Sequence, residues 1–177
     1  RVRPRADFIS GTHSMNTTPN NGAGQDTSPH LGALAQYIKD LSFENPHAPK
    51  SLQSPGGQNP NIQVQVNVNA RQIMGEDYEV ELKLEGTAGQ QPELMFQFEL
   101  NYAGVFRLRN IPQEHIGGVL MVECPRILFP FARQIVANAV RDGGFPPLYL
   151  DPIDFLALYQ QRVAELNQQQ PAGVRPS

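Results

Sequence analysis

Tryptophan is absent, cysteine occurs once, and charged side chains make up only 18% of the 177 residues. One thiol, Cys124, can form no intrachain disulfide and can build no cysteine-rich metal site. With Pro125 beside it and Met121 and Val122 close by, it reads as a small buried apolar residue. Long apolar runs are also missing. None approaches the roughly 20 residues of a membrane-spanning helix, so no direct membrane insertion is expected, and no secretory signal is recognised. Positive charge is scarce as well. Of 14 basic and 17 acidic groups, Arg1, Arg3, Arg5 and Asp7 fall in the first 14 residues, which leaves 11 against 16 in the rest. Nucleic-acid binding and a polybasic membrane anchor both need clustered Lys and Arg. The expected partners are therefore neutral or basic, with no nucleic acid among them.

What is present suggests one domain with tails. Residues 1–14 have no periodicity and read as vector-derived, ahead of Met15 as a natural start. The next stretch, 15–34, is rich in Asn, Thr, Gly and Pro, offers little to bury, and is expected to be a flexible tail. Residues 168–177 have the same character. Between them, 35–167 form the folded body.

Tyr37, Leu41 and Phe43 alternate with Asp40, Ser42 and Glu44, which predicts a strand with its carboxylates on one face. After a Pro/Gly-rich loop over 45–59, the clearest alternation follows: Ile62, Val64, Val66, Val68 and Ala70 against Gln63, Gln65, Asn67 and Asn69. Two more strands repeat the pattern, one on Tyr78, Val80, Leu82 and Leu84, the other on Phe96, Phe98, Leu100 and Tyr102, with Gly104 permitting a bend. Short turns predict an antiparallel meander with one apolar and one wet face. The period then becomes helical. A short helix is expected from Pro112 to Pro125, a second from about Phe129 to Asp142, and a third opening at Asp151-Pro152 with a stripe of Leu156, Tyr159, Val163 and Leu166. The fold class is α+β, a four-stranded antiparallel sheet followed by helices packed on one face.

Chemistry is sparse. His13, His30, His47 and His115 lack the spacing of metal ligands or a catalytic triad, and Gly22-Ala23-Gly24 has neither the strand nor the helix a phosphate loop needs. Asp40 and Glu44 share an open face with no sign of the desolvation an acid/base pair uses. No enzyme activity, cofactor or metal is expected. Between Glu76 and Asn101 stand Glu76, Asp77, Glu79, Glu81, Glu85, Glu93 and Glu99 against Lys83 alone. Such a face is either solubilising or a dock for a basic partner, and the strands do not choose between these.

Three stretches carry a family resemblance: Tyr37-Ile38-Lys39-Asp40-Leu41-Ser42-Phe43-Glu44-Asn45-Pro46-His47-Ala48-Pro49, then Gly104-Val105-Phe106, and Cys124-Pro125-Arg126-Ile127-Leu128-Phe129-Pro130-Phe131-Ala132-Arg133. Gly144-Phe145-Pro146-Pro147-Leu148-Tyr149-Leu150-Asp151-Pro152-Ile153-Asp154-Phe155 follows at the expected distance. This pattern resembles the SecB family of bacterial protein-export chaperones over about residues 35–165. The resemblance implies a cytoplasmic homotetramer, a dimer of dimers, that holds unfolded precursor proteins without ATP and delivers them to the translocation ATPase SecA. It implies SecA contacts at Asp40, Glu44, Gln97 and Glu99, Gln97 standing where an apolar residue is common and Phe98 where a smaller one is. Unfolded clients are expected at Phe43, Phe145, Leu148 and Tyr149. A SecB-like chaperone dedicated to one client, such as an antitoxin, is the nearest alternative.

Overall fold

Four strands and a helical layer make up the computed structural model, which describes residues 27–53, 61–90, 92 and 94–169. The expectations for residues 1–14, for most of the N-terminal tail, for the centre of the long loop, for Glu93 and for 170–177 lie outside these residues. Strands β1 (His30–Glu44), β2 (Ile62–Met74), β3 (Asp77–Ala88) and β4 (Phe96–Arg109) form one antiparallel sheet in the order β1-β4-β3-β2. Strands β2 to β4 are the expected meander, with Gly75 at positive φ in the first turn where a side chain would be strained. β1 departs from it by pairing with β4 rather than β2. Three strand spacings, about 14 Å, separate the two ends, and the long 45–61 connection spans them. β1 also begins inside the stretch expected as a tail, because β4 runs on to Arg109 and offers His30 and Leu31 a backbone partner.

The inward side chains of the central strands form the core: Val80, Leu82, Leu84, Leu100 and Phe106 are wholly buried. Above them lie α1 (Gln113–Gly118), a π-helical turn (Val119–Glu123) and α2 (Cys124–Asp142), which join into one unbroken helical run. The sequence predicts a break at Pro125, since proline lacks an N–H and its ring strikes the carbonyl four residues back. The π-turn directly before Pro125 widens the backbone at that point and absorbs both faults. α2 packs Leu128, Phe129, Ala132, Val136 and Val140 onto the sheet. α3 (Phe155–Gln169) starts three residues after the expected Pro152, because Asp154, not Asp151, caps it by accepting the Ala157 N–H at 3.0 Å. It continues through Gln168 and Gln169, where a tail is expected.

Gly104 serves close packing. β4 continues through it as one strand, and a Cβ there would stand 2.9 Å from Leu128 Cδ2, so this is where the helix presses on the sheet.

β1 is anchored on both faces. Phe43 pairs with Phe98 on the helical side, and its ring lies 5.6 Å from that of Phe96. Tyr37, six residues earlier, would share that face in a regular strand. Instead its hydroxyl donates to Glu79 on the opposite face. A bulge at Lys39, between the Ile38–Tyr102 and Asp40–Asn101 pairs, supplies the extra residue that inverts the parity. Glu79 is only 3% exposed and also accepts from Arg71 Nε at 2.6 Å and Lys39 Nζ at 3.3 Å. Burial alone would raise its pKa. Hydrogen bonds from Tyr37, Arg71 and Lys39 outweigh burial and bring it from the usual 4.5 down to about 2. One carboxylate thus ties β1, β2 and β3 together across the face that the helices leave open.

A depressed pKa stabilises the fold above the unfolded value, and this contribution is lost as pH falls from about 4.5 toward about 2. Because the Arg71 side chain is 65% exposed, water screens the pair, and the contribution is about 1–2 kcal/mol. Glu79→Gln should be less stable than the parent by that amount at pH 7, with the gap closing over this acid range in thermal unfolding. A gap independent of pH would contradict the assignment. At the helix–sheet contact, Gly104→Val should cost about 1–3 kcal/mol. Gly118→Ala, where a Cβ meets nothing within 4 Å, should be neutral or stabilising by about 0.5 kcal/mol.

Candidate functional site

The open face of the sheet divides into a neutralised half and an acidic half. Toward one end, Asp77 is held by both nitrogens of the Arg107 fork at 2.6 and 2.7 Å, Glu76 meets Arg109 at 3.6 Å, Glu79 takes Arg71 and Lys39, and Glu81 takes Lys39. The hydrogen bonds from Arg107 hold the Asp77 carboxyl below its usual range. The sequence window from Glu76 to Asn101 contains only one cation, Lys83, but β1, β2 and the end of β4 bring four more onto the same face. Most of its acids are therefore paired.

The other half is not matched in this way. Lys83 alone sits between Glu99 at 2.8 Å and Glu85 at 3.0 Å, and hydrogen bonds to both raise its pKa. Asp40 and Glu44 have no cation partner among the described residues. A shallow depression of about 340 Å³ opens here, lined by Ser42, Glu44, Gln65, Glu85, Gln97 and Glu99 among others. Of the four positions that the resemblance assigns to SecA, Glu44, Gln97 and Glu99 line this one depression, and the Gln97 amide donates to Glu44. Asp40 lies farther along β1, opposite Asn101. Glu85 belongs to the site by geometry, and sequence reasoning had no means of selecting it from the other acids of its strand. Phe98, on the helical side, fills the space left by the missing side chain of Gly86, its partner on β3.

The four expected client residues fall into two groups. Phe43 and Phe145 join Phe96 in an aromatic cluster, with ring centroids 6.5 Å apart for Phe43–Phe145 and 4.9 Å for Phe96–Phe145. Phe43 also occupies the space over Gly143 at the end of α2. Phe145 is buried and Phe43 half-buried, so these two are packing residues first. Leu148 is half-buried, whereas Tyr149 is 61% exposed, with Arg133 over its ring at 5.9 Å. Of the helical stripe, Tyr159 is half-buried while Leu156, Val163 and Leu166 face outward.

A second concavity, absent from the sequence reading, runs between β2 and α3. About 290 Å³ in volume, it is lined by Val66, Val68, Met121, Leu158, Tyr159 and Arg162 among others. The alternation of β2 marks its apolar side. That β2 is an edge strand, and so open here, follows only from the strand order. Cys124, the first residue of α2, is buried in the core, where burial pushes its thiol up to about 12, so it stays protonated at neutral pH. No helix among the described residues is long and apolar enough to cross a membrane.

Comparison with known proteins places this geometry in a family. The profile described as "Preprotein translocase subunit SecB" matches residues 24–166. A relative from Methylocella silvestris named protein-export protein SecB is 59% identical over 152 residues, 85% of this chain and 94% of the relative. One of the same name from a Bradyrhizobium species is 56% identical over 162 residues, 90% of this chain and 99% of the relative. Among solved structures, the SecB-like chaperone of Mycobacterium tuberculosis in complex with a peptide from an antitoxin superposes with a TM-score of 0.57 at 13% identity, covering 70% of this chain and 90% of that one. At that identity the likeness concerns the fold, whereas the sequence matches span nearly the whole of both relatives, and on them the chain belongs to the SecB family.

Proposed function

We propose that the chain is an export chaperone: a holdase that keeps precursor proteins unfolded in the cytoplasm without ATP and passes them to SecA. The observation that carries this reading is the separation of two surfaces of different chemistry. One is the under-neutralised acidic depression on the open face of the sheet; the other comprises the apolar edges and groove on the helical side. A partner read by charge and a client read by apolar segments can then be held together. The dedicated-client alternative rests on a fold likeness at 13% identity, while the export reading rests on relatives at 56–59%.

In this reading Asp40, Glu44, Gln97 and Glu99 receive a basic element of SecA, with Glu85 completing the depression. Charge complementarity there sets encounter rate and register more than total affinity. Clients are gripped by apolar contacts, to which Tyr149 offers an exposed ring and Leu148 a half-exposed side chain, over the Phe43–Phe145 cluster. Assembly as a dimer of dimers is supported by exposed apolar residues on β1 and α2: Leu34, Ile38, Leu41, Ile127 and Phe131. Four subunits gripping one chain raise avidity without any new contact.

Glu99→Lys should weaken SecA binding by about tenfold or more at low salt, because it sets like charge against a basic partner and against Lys83. In the parent, SecA affinity should fall as salt rises from about 0.05 to 0.3 M, exposed pairs being screened over roughly 10 Å near 0.1 M. Binding of an unfolded client should change little in either comparison. Paired titrations test this once light scattering has given a particle of four chains for both proteins. Equal loss of SecA and client would make Glu99 an assembly residue, and unchanged SecA binding would leave the acidic face a solubilising one.

A further inference from the structure

Among the described residues, one polar contact fastens the outer half of α3 to the sheet. Arg162 Nη1 donates to the Val68 carbonyl at 3.3 Å. Among the described residues β2 has β3 on one side and no strand on the other, so alternate residues along it lack a strand partner there for their N–H and C=O groups. Val68 belongs to this set, its carbonyl taking a guanidinium in place of a strand, and by the two-residue period Val66 belongs to it too. Their side chains face the groove beneath α3. Beyond Tyr159 the helix buries little, with Val163 38% and Leu166 58% exposed.

We propose that Arg162 is a latch: it closes the free edge of β2 in the unoccupied chaperone and is displaced when an extended apolar segment of a client pairs with that edge. The inference rests on the holdase reading and adds where and how one client segment is admitted. A client N–H replaces the guanidinium at the Val68 carbonyl, alternate client side chains enter between Val66, Val68, Met121 and Leu158, and Arg162 returns to water. The exchange is balanced. A guanidinium bonded to one neutral carbonyl at the surface regains hydration when released, and the edge gains a strand hydrogen bond. A segment that is apolar but already folded has no free N–H to offer, and a polar extended segment has nothing to place in the groove, so neither displaces the latch. The same bond blunts an edge that would otherwise pair with the edge of another copy.

The test compares the parent with Arg162→Met, which keeps an unbranched stem but removes the donor, and with Arg162→Lys, which keeps a donor. The probe is reduced, carboxymethylated α-lactalbumin, a chain that stays unfolded, titrated calorimetrically, with amide hydrogen exchange measured on the free proteins. Arg162→Met should bind the probe about three- to tenfold more tightly, with faster exchange over 160–169 and unchanged exchange in β3 and β4. Arg162→Lys should fall between it and the parent. Unchanged affinity despite faster exchange in α3 would overturn the latch and leave the bond as local packing. Weaker binding by Arg162→Met would overturn it too, making Arg162 a direct client contact. A parent that does not bind the probe at all sinks the holdase reading itself, an outcome distinct from either of these.

Discussion

A single helical run is too narrow for the sheet it covers, and most of the molecule's surface chemistry follows from that mismatch. A helix with its side chains is about 10 Å across, while strands stand about 4.8 Å apart, so one helix covers two strands. The run from α1 through α2 lies over the middle pair, β3 and β4, most of whose inward residues are buried. The two outer strands keep apolar side chains that the helix does not reach. On β1 these are Ile38 and Leu41; on β2 they are Val64 and Val66, half-buried at the margin of α3. Leaving apolar surface at both edges is costly for a solitary soluble domain. It suits a protein whose edges are to be covered by other chains, whether further copies or unfolded clients.

The uncovered face meets a different constraint. Acidic side chains at every second position would repel one another unless cations intervene, and the fold brings cations from other strands to one half only. There, Tyr37, Lys39, Arg71 and Arg107 organise the carboxylates into a fixed set of hydrogen bonds with little net field. In the other half a single ammonium is shared between Glu85 and Glu99, and Glu44 stands nearby without one. The result is directional: negative potential is concentrated near one end of the sheet, over the strands that also carry the aromatic cluster on their opposite side.

Much of this was legible in the sequence, and the failures have physical causes. Alternation gave β2, β3 and β4 because each is half buried and long. It misplaced Tyr37, because a bulge is one inserted residue with no composition of its own. Pro125 read as helix punctuation, yet a π-turn and a buried packing face carried the helix past it, tertiary contact overriding a local signal. Asp151-Pro152 looked like a better helix start than Asp154, but the cap went to the carboxylate that reached an N–H. The carboxylates of the candidate site were read onto the correct face from Asp40, Glu44 and Glu99, whereas the neutralisation of the other half of that face depends on Arg71, Arg107 and Arg109, which only strand order brings near. The β2–α3 groove was invisible for the same reason: nothing in the strand's own residues says that it lies at an edge.

The central claim is that charge recognition and client holding occupy opposite sides of one sheet and do not compete. Sedimentation of the chaperone mixed with an unfolded precursor and with SecA, each at saturating concentration, tests this most directly. The account predicts one ternary species containing all three components, with the precursor retained when SecA is added. Displacement of the precursor by SecA at equilibrium, or two binary species with no ternary one, would place both partners on a shared surface and contradict it.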